Sequence, residues 1–596
     1  MAGYIGDTKY TGPERIVVAM DVGTTMTAVT FSYLYPDDYA RVRMVNNWPG
    51  QLESGASSKI PSIVAYRQGK YKTCGLEALE YVEDDQYQIA KWFKLHLHPS
   101  SMKIPDVPPA YESDNDASSF EILPLPQGVP ITQVYSDLFQ YLMENIQKSF
   151  EQSIPNGPAV WSRLRDRLTV VLTTPNGWDF SQQSLLRKAA IGAGLVTEEN
   201  SYELLDFITE GEASVHYALA YSQGKTWLDV NTIFAVVDAG GSTVDSTLYK
   251  CISTSPTLAL EEVCPSECIQ AGGIFVDRTA ENMFKQKLSG SKWTEDECIT
   301  EILQAFESRT KRIFNGSLGS YVVDFGSTRD NDRARGIIKG KLSVSALEVE
   351  TTFEDVVQRT IASCLRLLGN YGVKYLLLVG GFGESQYLQK MLREQFESHK
   401  ISIVTTEEPS EGAMIWYIKQ SVMARIARTY IGVKVTTRYN PGDPEHVRRQ
   451  QLTRKDLDGT LSLSGKFTTF VSKGTRLQGD FTHVEGFSRF YRPVQDRLGS
   501  YSCNLAIWEG EGNPSWVIDL KGEELPQLRR LCILKADLSG LKNSLKFEIG
   551  PKGEYYRVNF RVAIRFGGTQ LQARLQWDEQ GVLQEGPISI IPNAII

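Results

Sequence analysis

Two short stretches of this 596-residue chain carry residues of the right type and spacing to hold a polyphosphate. The first is Asp21-Val-Gly23-Thr24-Thr25; the second is Asp238-Ala-Gly240-Gly241-Ser242-Thr243-Val-Asp245. A phosphate chain needs several N–H and O–H donors converging on it, and a backbone that can come close. Glycine permits that approach, and Thr and Ser hydroxyls add donors. Carboxylates beside such a turn would repel bare phosphate, so Asp21, Asp238 and Asp245 call for a divalent cation between them and the ligand. Mg²⁺ suits the role, because it binds through one or two carboxylates plus phosphate oxygens and keeps several waters. A single D-x-G-x-T turn is common in hairpins. Two copies in one chain point instead to two turns that face each other and clamp the β- and γ-phosphates from both sides.

A third glycine-rich turn, Gly380-Gly381-Phe382-Gly383, follows the apolar run Tyr375-Leu-Leu-Leu-Val and precedes a helix expected from about Ser385. Such a turn lets a flat base or a ribose approach the backbone beside a helix N-terminus, so adenosine contact is expected there.

These turns need strands to position them. Ile16-Val-Val-Ala-Met, Ile233-Phe-Ala-Val-Val and Tyr375-Leu-Leu-Leu-Val are unbroken apolar runs, as central strands buried on both faces are. After each of the first two turns comes a second β-like run, from Ala28 and from Ser246, so each reads as a hairpin. The gap from Asp21 to Asp238 is far too long for a solenoid and suggests two duplicated lobes. Val134 to Phe150 and Gln182 to Ala193 have helical periodicity, and Leu168 to Pro175 reads as a buried strand ended by proline. Strands alternating with helices give an α/β class. A proline-rich segment near 99–130 breaks the pattern as a surface insertion. From about 430 to 596 the text alternates in period two, as half-buried antiparallel strands do, with one short helical stretch at Leu525 to Leu531. The expected division is lobe I at 14–230, lobe II at 231–428 and a β-rich domain at 430–596.

Composition narrows the function classes. A hydrophobic content of 41% with 22% charged residues is that of a globular protein. The net charge of -8, without a Lys/Arg block, argues against a nucleic-acid partner. No run approaches the length needed to span a bilayer, and the start lacks the pattern of a secretory signal, so a cytoplasmic or nuclear location without a membrane partner is expected. Eight scattered cysteines are too sparse for a disulfide framework, and Cys264 with Cys268 makes a poor zinc signature.

The order of phosphate hairpin, connecting strand, second hairpin and adenosine turn resembles the actin, sugar-kinase and heat-shock-chaperone superfamily. In detail it resembles the 70 kDa heat-shock (Hsp70) proteins. Asp21-Val-Gly-Thr-Thr matches their D-x-G-T-T turn, and Asp238 to Asp245 is similar to D-x-G-G-G-T-x-D, with Ser242 in place of the last glycine. Lys59-Ile-Pro-Ser-Ile-Val-Ala-Tyr, Val170 to Trp178, Phe207-Ile-Thr-Glu-Gly-Glu-Ala and Gln270-Ala-Gly-Gly-Ile-Phe-Val-Asp277 resemble further stretches of that family. The similarity spans about residues 14–428 and points to a divergent, lid-less branch related to the member-twelve proteins of animals. It implies an actin-like ATPase of two ribonuclease-H-like lobes followed by a C-terminal β-rich domain, with ATP or ADP and Mg²⁺ as cofactors.

By the same resemblance Asp21, Asp238 and Asp245 would organise Mg²⁺ and the attacking water, while Thr24, Thr25 and Thr243 would hold phosphate oxygens. Glu210 would position water. Gly272 and Gly273 would belong to the nucleotide site. Lys94 would face phosphate, a solvated lysine being the alternative. Glu307, Lys311 and Arg312 resemble an adenosine-clamping E-x-x-K-R helix, although one residue too long; surface charge is the alternative. The chain departs from the family at Gly211, which replaces a proline, and at Ser410, which replaces an acidic residue. No Leu/Asp-rich linker is found near Thr429 to Val435. The expected function is an Hsp70-like chaperone ATPase of slow turnover, a monomer or weak oligomer whose β domain binds polypeptide clients or co-chaperones. Its rivals are a nucleotide-sensing scaffold with little turnover and, less well supported, a small-molecule kinase.

Overall fold

The computed structural model describes residues 3–4, 9–51, 57–99, 122–221, 227–254, 259–405, 410–419, 422–478, 481–492, 498–566 and 571–592. The chain forms two compact units: Met1–Trp178 with Leu186–Val422, and Asp179–Leu185 with Met423–Ile596.

The first unit repeats one arrangement. Strand β1 (Arg15–Val22) turns back into β2 (Met26–Leu34), pairing Asp21 with Ala28; β1 then runs parallel to β3 (Thr169–Thr174), and β3 parallel to β4 (Leu205–Thr209). The second half does the same. Strand β5 (Ile233–Ala239) turns back into β6 (Val244–Ser253), pairing Asp238 with Asp245, and lies parallel to β7 (Tyr375–Val379), which lies parallel to β8 (Ser402–Thr405). A hairpin followed by two parallel strands, made twice, is the actin-like fold. Strands β1, β3, β5 and β7 are almost wholly buried, as their apolar runs demand.

Helices cover these sheets. In α1 (Ile131–Ser153) the stripe Val134, Leu138, Tyr141, Leu142, Ile146 and Phe150 is buried, as its periodicity requires. Helix α2 (Glu210–Tyr221) follows β4 directly, α3 (Gly273–Lys287) follows the second hairpin, and α4 (Ala346–Leu368) begins on a reciprocal Ser345–Glu348 capping box. Helix α5 (Ser410–Lys419) comes so near α2 that a Cβ on Gly412 would lie 1.8 Å from the Ala213 carbonyl oxygen. The helix expected from Gln182 spans Phe180–Gly192, and the one expected near Ser385 spans Gln386–Glu397 with Ser385 as its cap.

The second unit is built from antiparallel sheets. One orders β10 (Leu461–Val471), β9 (Tyr430–Arg438), β12 (Ser500–Trp508), β13 (Leu528–Asp537) and β17 (Ser589–Pro592); the other orders β11 (Thr482–Tyr491), β14 (Gly553–Arg565), β15 (Gln572–Glu579) and β16 (Val582–Pro587). Leu505 and Leu534 of the first sheet share a core with Val558, Phe560 and Val562 of the second, as in a sandwich. The helix expected at Leu525 to Leu531 is a turn leading into β13. Leu528 N–H closes that turn on the Leu525 carbonyl, Pro526 has no N–H to extend a helix, and Leu528 onward pairs with β12. A short helix, Pro444–Arg448, interrupts the strands.

All eight cysteines are free thiols. Most of the expected insertion lies outside the described residues; Ile122 to Pro130 runs as loop into α1. Among the described residues no helix is long and apolar enough to cross a membrane.

Candidate functional site

The two phosphate-type turns close with the same backbone hydrogen bond. Gly23 N–H donates to the Met26 carbonyl at 3.0 Å, and Gly240 N–H to the Thr243 carbonyl at 2.8 Å. A Cβ on Gly23 would sit 2.5 Å from the Met26 oxygen, so the turn closes only around glycine. In the second turn every carbonyl is engaged. That of Gly240 accepts from Gly273 N–H, that of Gly241 from Ile274 N–H, and that of Ser242 from Gly272 N–H. With its acceptors occupied, what this turn offers a ligand is N–H and hydroxyl. Gly272 and Gly273 therefore buttress the turn; a Cβ on Gly272 would lie 2.4 Å from Gly241.

The turns meet. Thr24 Oγ1 and Ser242 Oγ are 2.6 Å apart and buried, and Thr25 lies against Gly241, where a Cβ would come within 2.9 Å of its Oγ1. Thr243 is buried beside them.

Around the turns four carboxylates share one ammonium. Lys94, on a short 3₁₀ turn (Phe93–Leu97), is 3% exposed, which excludes the solvated alternative. Its Nζ donates to the Val22 carbonyl at 2.8 Å and pairs with Glu210 Oε1 at 2.5 Å. Burial works against its charge, but Glu210, Asp21 and Asp245 outweigh it and hold the ammonium above the ordinary lysine range. Burial pushes Glu210, the first residue of α2, up to about 8, with Asp21, Asp245 and Asp238 adding to the rise and Lys94 opposing it. Burial likewise lifts Asp238 to about 7, helped by Asp245 and Asp21 and opposed by a 3.0 Å bond from Ser214 Oγ. Asp21 accepts from Thr173 Oγ1 at 2.6 Å, and Asp245 from Asn176 N–H at 2.8 Å. This excess of negative charge fits a divalent cation. Among the described residues no three His, Cys, Asp or Glu are grouped to hold a metal directly.

The third turn is stitched to the second hairpin. Phe382 and Gly383 N–H both donate to the Ala239 carbonyl, at 2.8 and 3.1 Å. Gly380 has φ +85°, and a Cβ there would meet Asp238 Oδ1 at 2.3 Å, so glycine is required twice over. The Phe382 ring is buried in the lobe II core, stacked on Phe353 at 6.3 Å, so this residue offers a base its backbone and not its ring. Gly381 is the open position of this turn.

Glu307, Lys311 and Arg312 explain their own irregular spacing. Between helix Asp296–Ala305 and Lys311–Ile313 the backbone makes a π-turn, Phe306–Thr310, which absorbs one extra residue. Lys311 Nζ donates to Asp277 Oδ2 at 2.7 Å and to the Gly273 carbonyl at 2.8 Å, tying this helix to the second turn. Burial raises Asp277 to about 6 against the pull of Lys311, with Glu307 adding to the rise. Glu307 and Arg312 are exposed.

Sequence reasoning missed Thr173, Asn176, Trp178, Ser214 and His98. Asn176 lies two residues past the end of β3, and its Nδ2 donates to Thr247 Oγ1 at 2.8 Å, so it ties lobe I to lobe II beside Asp245. It also occupies the space in front of Gly211, where a Cβ would lie 2.9 Å from its Nδ2. Glycine at 211 and asparagine at 176 thus go together. Ser214 lies one helical turn beyond Glu210, a spacing that could have flagged it. His98 carried no local signal.

No model of a known protein family matches the chain. Among curated proteins it is 23% identical over 643 residues to heat shock 70 kDa protein 12B of Homo sapiens, covering 94% of this chain and 88% of that one. It is 22% identical to heat shock 70 kDa protein 12A of Mus musculus, covering 94% and 89%. A chaperone protein HscA homolog of Acinetobacter baumannii is 22% identical over 412 residues, 68% of this chain and 57% of that one. Similarity over nearly its full length, with the duplicated hairpin fold, places the chain on a divergent Hsp70-like branch.

Proposed function

We propose that the chain is an Hsp70-like chaperone ATPase that binds Mg-ATP between the two turns and hydrolyses it slowly. The observation that carries this reading is the pair of glycine turns closed by the same hydrogen bond, joined at Thr24 and Ser242 and ringed by more carboxylate than one lysine can neutralise. Asp21, Asp238 and Asp245 would hold hydrated Mg²⁺, which when bound offsets phosphate charge and acidifies a coordinated water. The chain's own groups do the rest. Hydroxyls and N–H groups of Gly23 to Thr25 and Gly240 to Thr243 receive phosphate oxygens, and Lys94 supplies a fixed positive charge. Glu210, beside Lys94, orients the attacking water and takes its proton once ionised. Glu307, Lys311 and the Gly381 turn would receive the adenosine. The second unit would bind polypeptide clients by its strand edges. A cytoplasmic site of action fits this reading.

A nucleotide sensor with little turnover is the second reading, favoured by the Asn176 bonds to Asp245 and Thr247, which tie the lobes without a ligand. Single-turnover hydrolysis of labelled Mg-ATP decides between them. Slow phosphate release that falls about 100-fold or more in Asp238→Asn supports the ATPase. Tight binding with no release in the wild type supports the sensor.

A further inference from the structure

A chain of hydrogen bonds runs from an indole into the joined turns. Trp178 Nε1–H donates to His98 Nδ1 at 2.9 Å, His98 Nε2 lies 3.3 Å from Ser242 Oγ, and Ser242 Oγ lies 2.6 Å from Thr24 Oγ1. His98, Ser242 and Thr24 are each less than a tenth exposed. Ser242 stands where the resembled motif has its last glycine.

The direction of the chain follows from donor chemistry. An indole N–H can only donate, so His98 Nδ1 must accept, and a neutral imidazole then carries its proton on Nε2. His98 is therefore the donor to Ser242. The Ser242–Thr24 pair holds two hydroxyl protons and needs one for the bond between them. The second would be drawn to His98 if Nε2 were an acceptor. Because Nε2 is a donor, that proton is left over. Burial and the nearby Lys94 charge push His98 down to about 3, which keeps the imidazole neutral.

We infer that His98 is a positioning residue for phosphate recognition: by donating to Ser242 it reserves one hydroxyl proton of the Ser242–Thr24 pair for a phosphate oxygen of the ligand. This rests on the nucleotide reading above and adds a contact to it. An oriented hydroxyl donor to a charged oxygen is worth roughly a tenfold gain in affinity.

The test is calorimetric Mg-ATP affinity of the full chain as wild type, Ser242→Ala, His98→Leu, His98→Gln and the Ser242→Ala/His98→Leu double variant, with a melting temperature for each. Ser242→Ala and His98→Leu are each expected to weaken binding about tenfold. The double variant should be no weaker than either single one, and His98→Gln, which retains an amide donor, should recover most of the loss. Losses that multiply in the double variant, or a Ser242→Ala protein that binds as tightly as wild type, overturn the inference. Should His98→Leu not fold, Ser242→Ala and His98→Gln still decide it. A wild type that binds no Mg-ATP overturns the nucleotide reading itself, and this inference with it.

Discussion

At the residue scale the site is a problem in charge. Glu210 and Asp238, lifted to about 8 and about 7, bind protons in the folded chain that they release in the unfolded one. Between the ordinary carboxylate range and about pH 8 the folded state therefore holds more protons, and stability falls as pH rises. The stabilising effect of this proton uptake is full below about pH 4 and gone above about pH 8. Replacing one charge removes the cause. Asp238→Asn is expected to raise stability above pH 8 by on the order of 2 kcal/mol while lowering turnover, and the pH dependence of thermal unfolding measures it. An unchanged pH profile would contradict the charge account. The residues legible in the sequence were those whose type is dictated locally: glycines needed for close turns, and the carboxylates beside them. His98 and Asn176 were not, because each reaches the site only through contacts made by distant segments, Ser242 and Trp178 for one and Asp245 and Thr247 for the other.

At the scale of elements, spacing decides. The strands and α1 were readable because burial on both faces, or on one stripe, leaves a pattern in the text. The run from Leu525 to Leu531 misled because its leucines recur every three residues, as on one face of a helix, and pairing of Leu528 onward with β12 settled it as strand. The π-turn at Phe306–Thr310 accounts for the extra residue before Lys311. Removing Ser308 from that turn is expected to restore a continuous α-helix, keep the Lys311–Asp277 pair and leave the melting temperature within about 3 °C. A fall well beyond that would mean the turn is needed for folding. Where α5 meets α2 there is no room for even a methyl group. Gly412→Ala is expected to cost about 2 kcal/mol or more, read by denaturant unfolding, and a cost below about 0.5 kcal/mol would contradict the close approach.

At the scale of the whole molecule the chain has two units, each with a core of its own. The text changes from α/β to alternating strands near residue 430, and most of the second unit runs from Met423. That Asp179–Leu185 groups with it was not legible, since a few residues carry no periodicity. Scanning calorimetry is expected to show two transitions, of which Mg-ATP raises one. Saturation at about 100 times Kd would stabilise that unit by roughly 2.7 kcal/mol. A uniform shift of a single transition would mean the units unfold together.

The measurement that bears most directly on the central claim is a calorimetric titration of the wild-type chain with ATP in the presence of Mg²⁺, beside Asp238→Ala. The site geometry predicts one nucleotide bound per chain, with affinity that falls when Mg²⁺ is withheld or Asp238 is removed. Absence of binding in the wild type, or binding indifferent to both changes, would contradict the assignment of the paired turns as a nucleotide site.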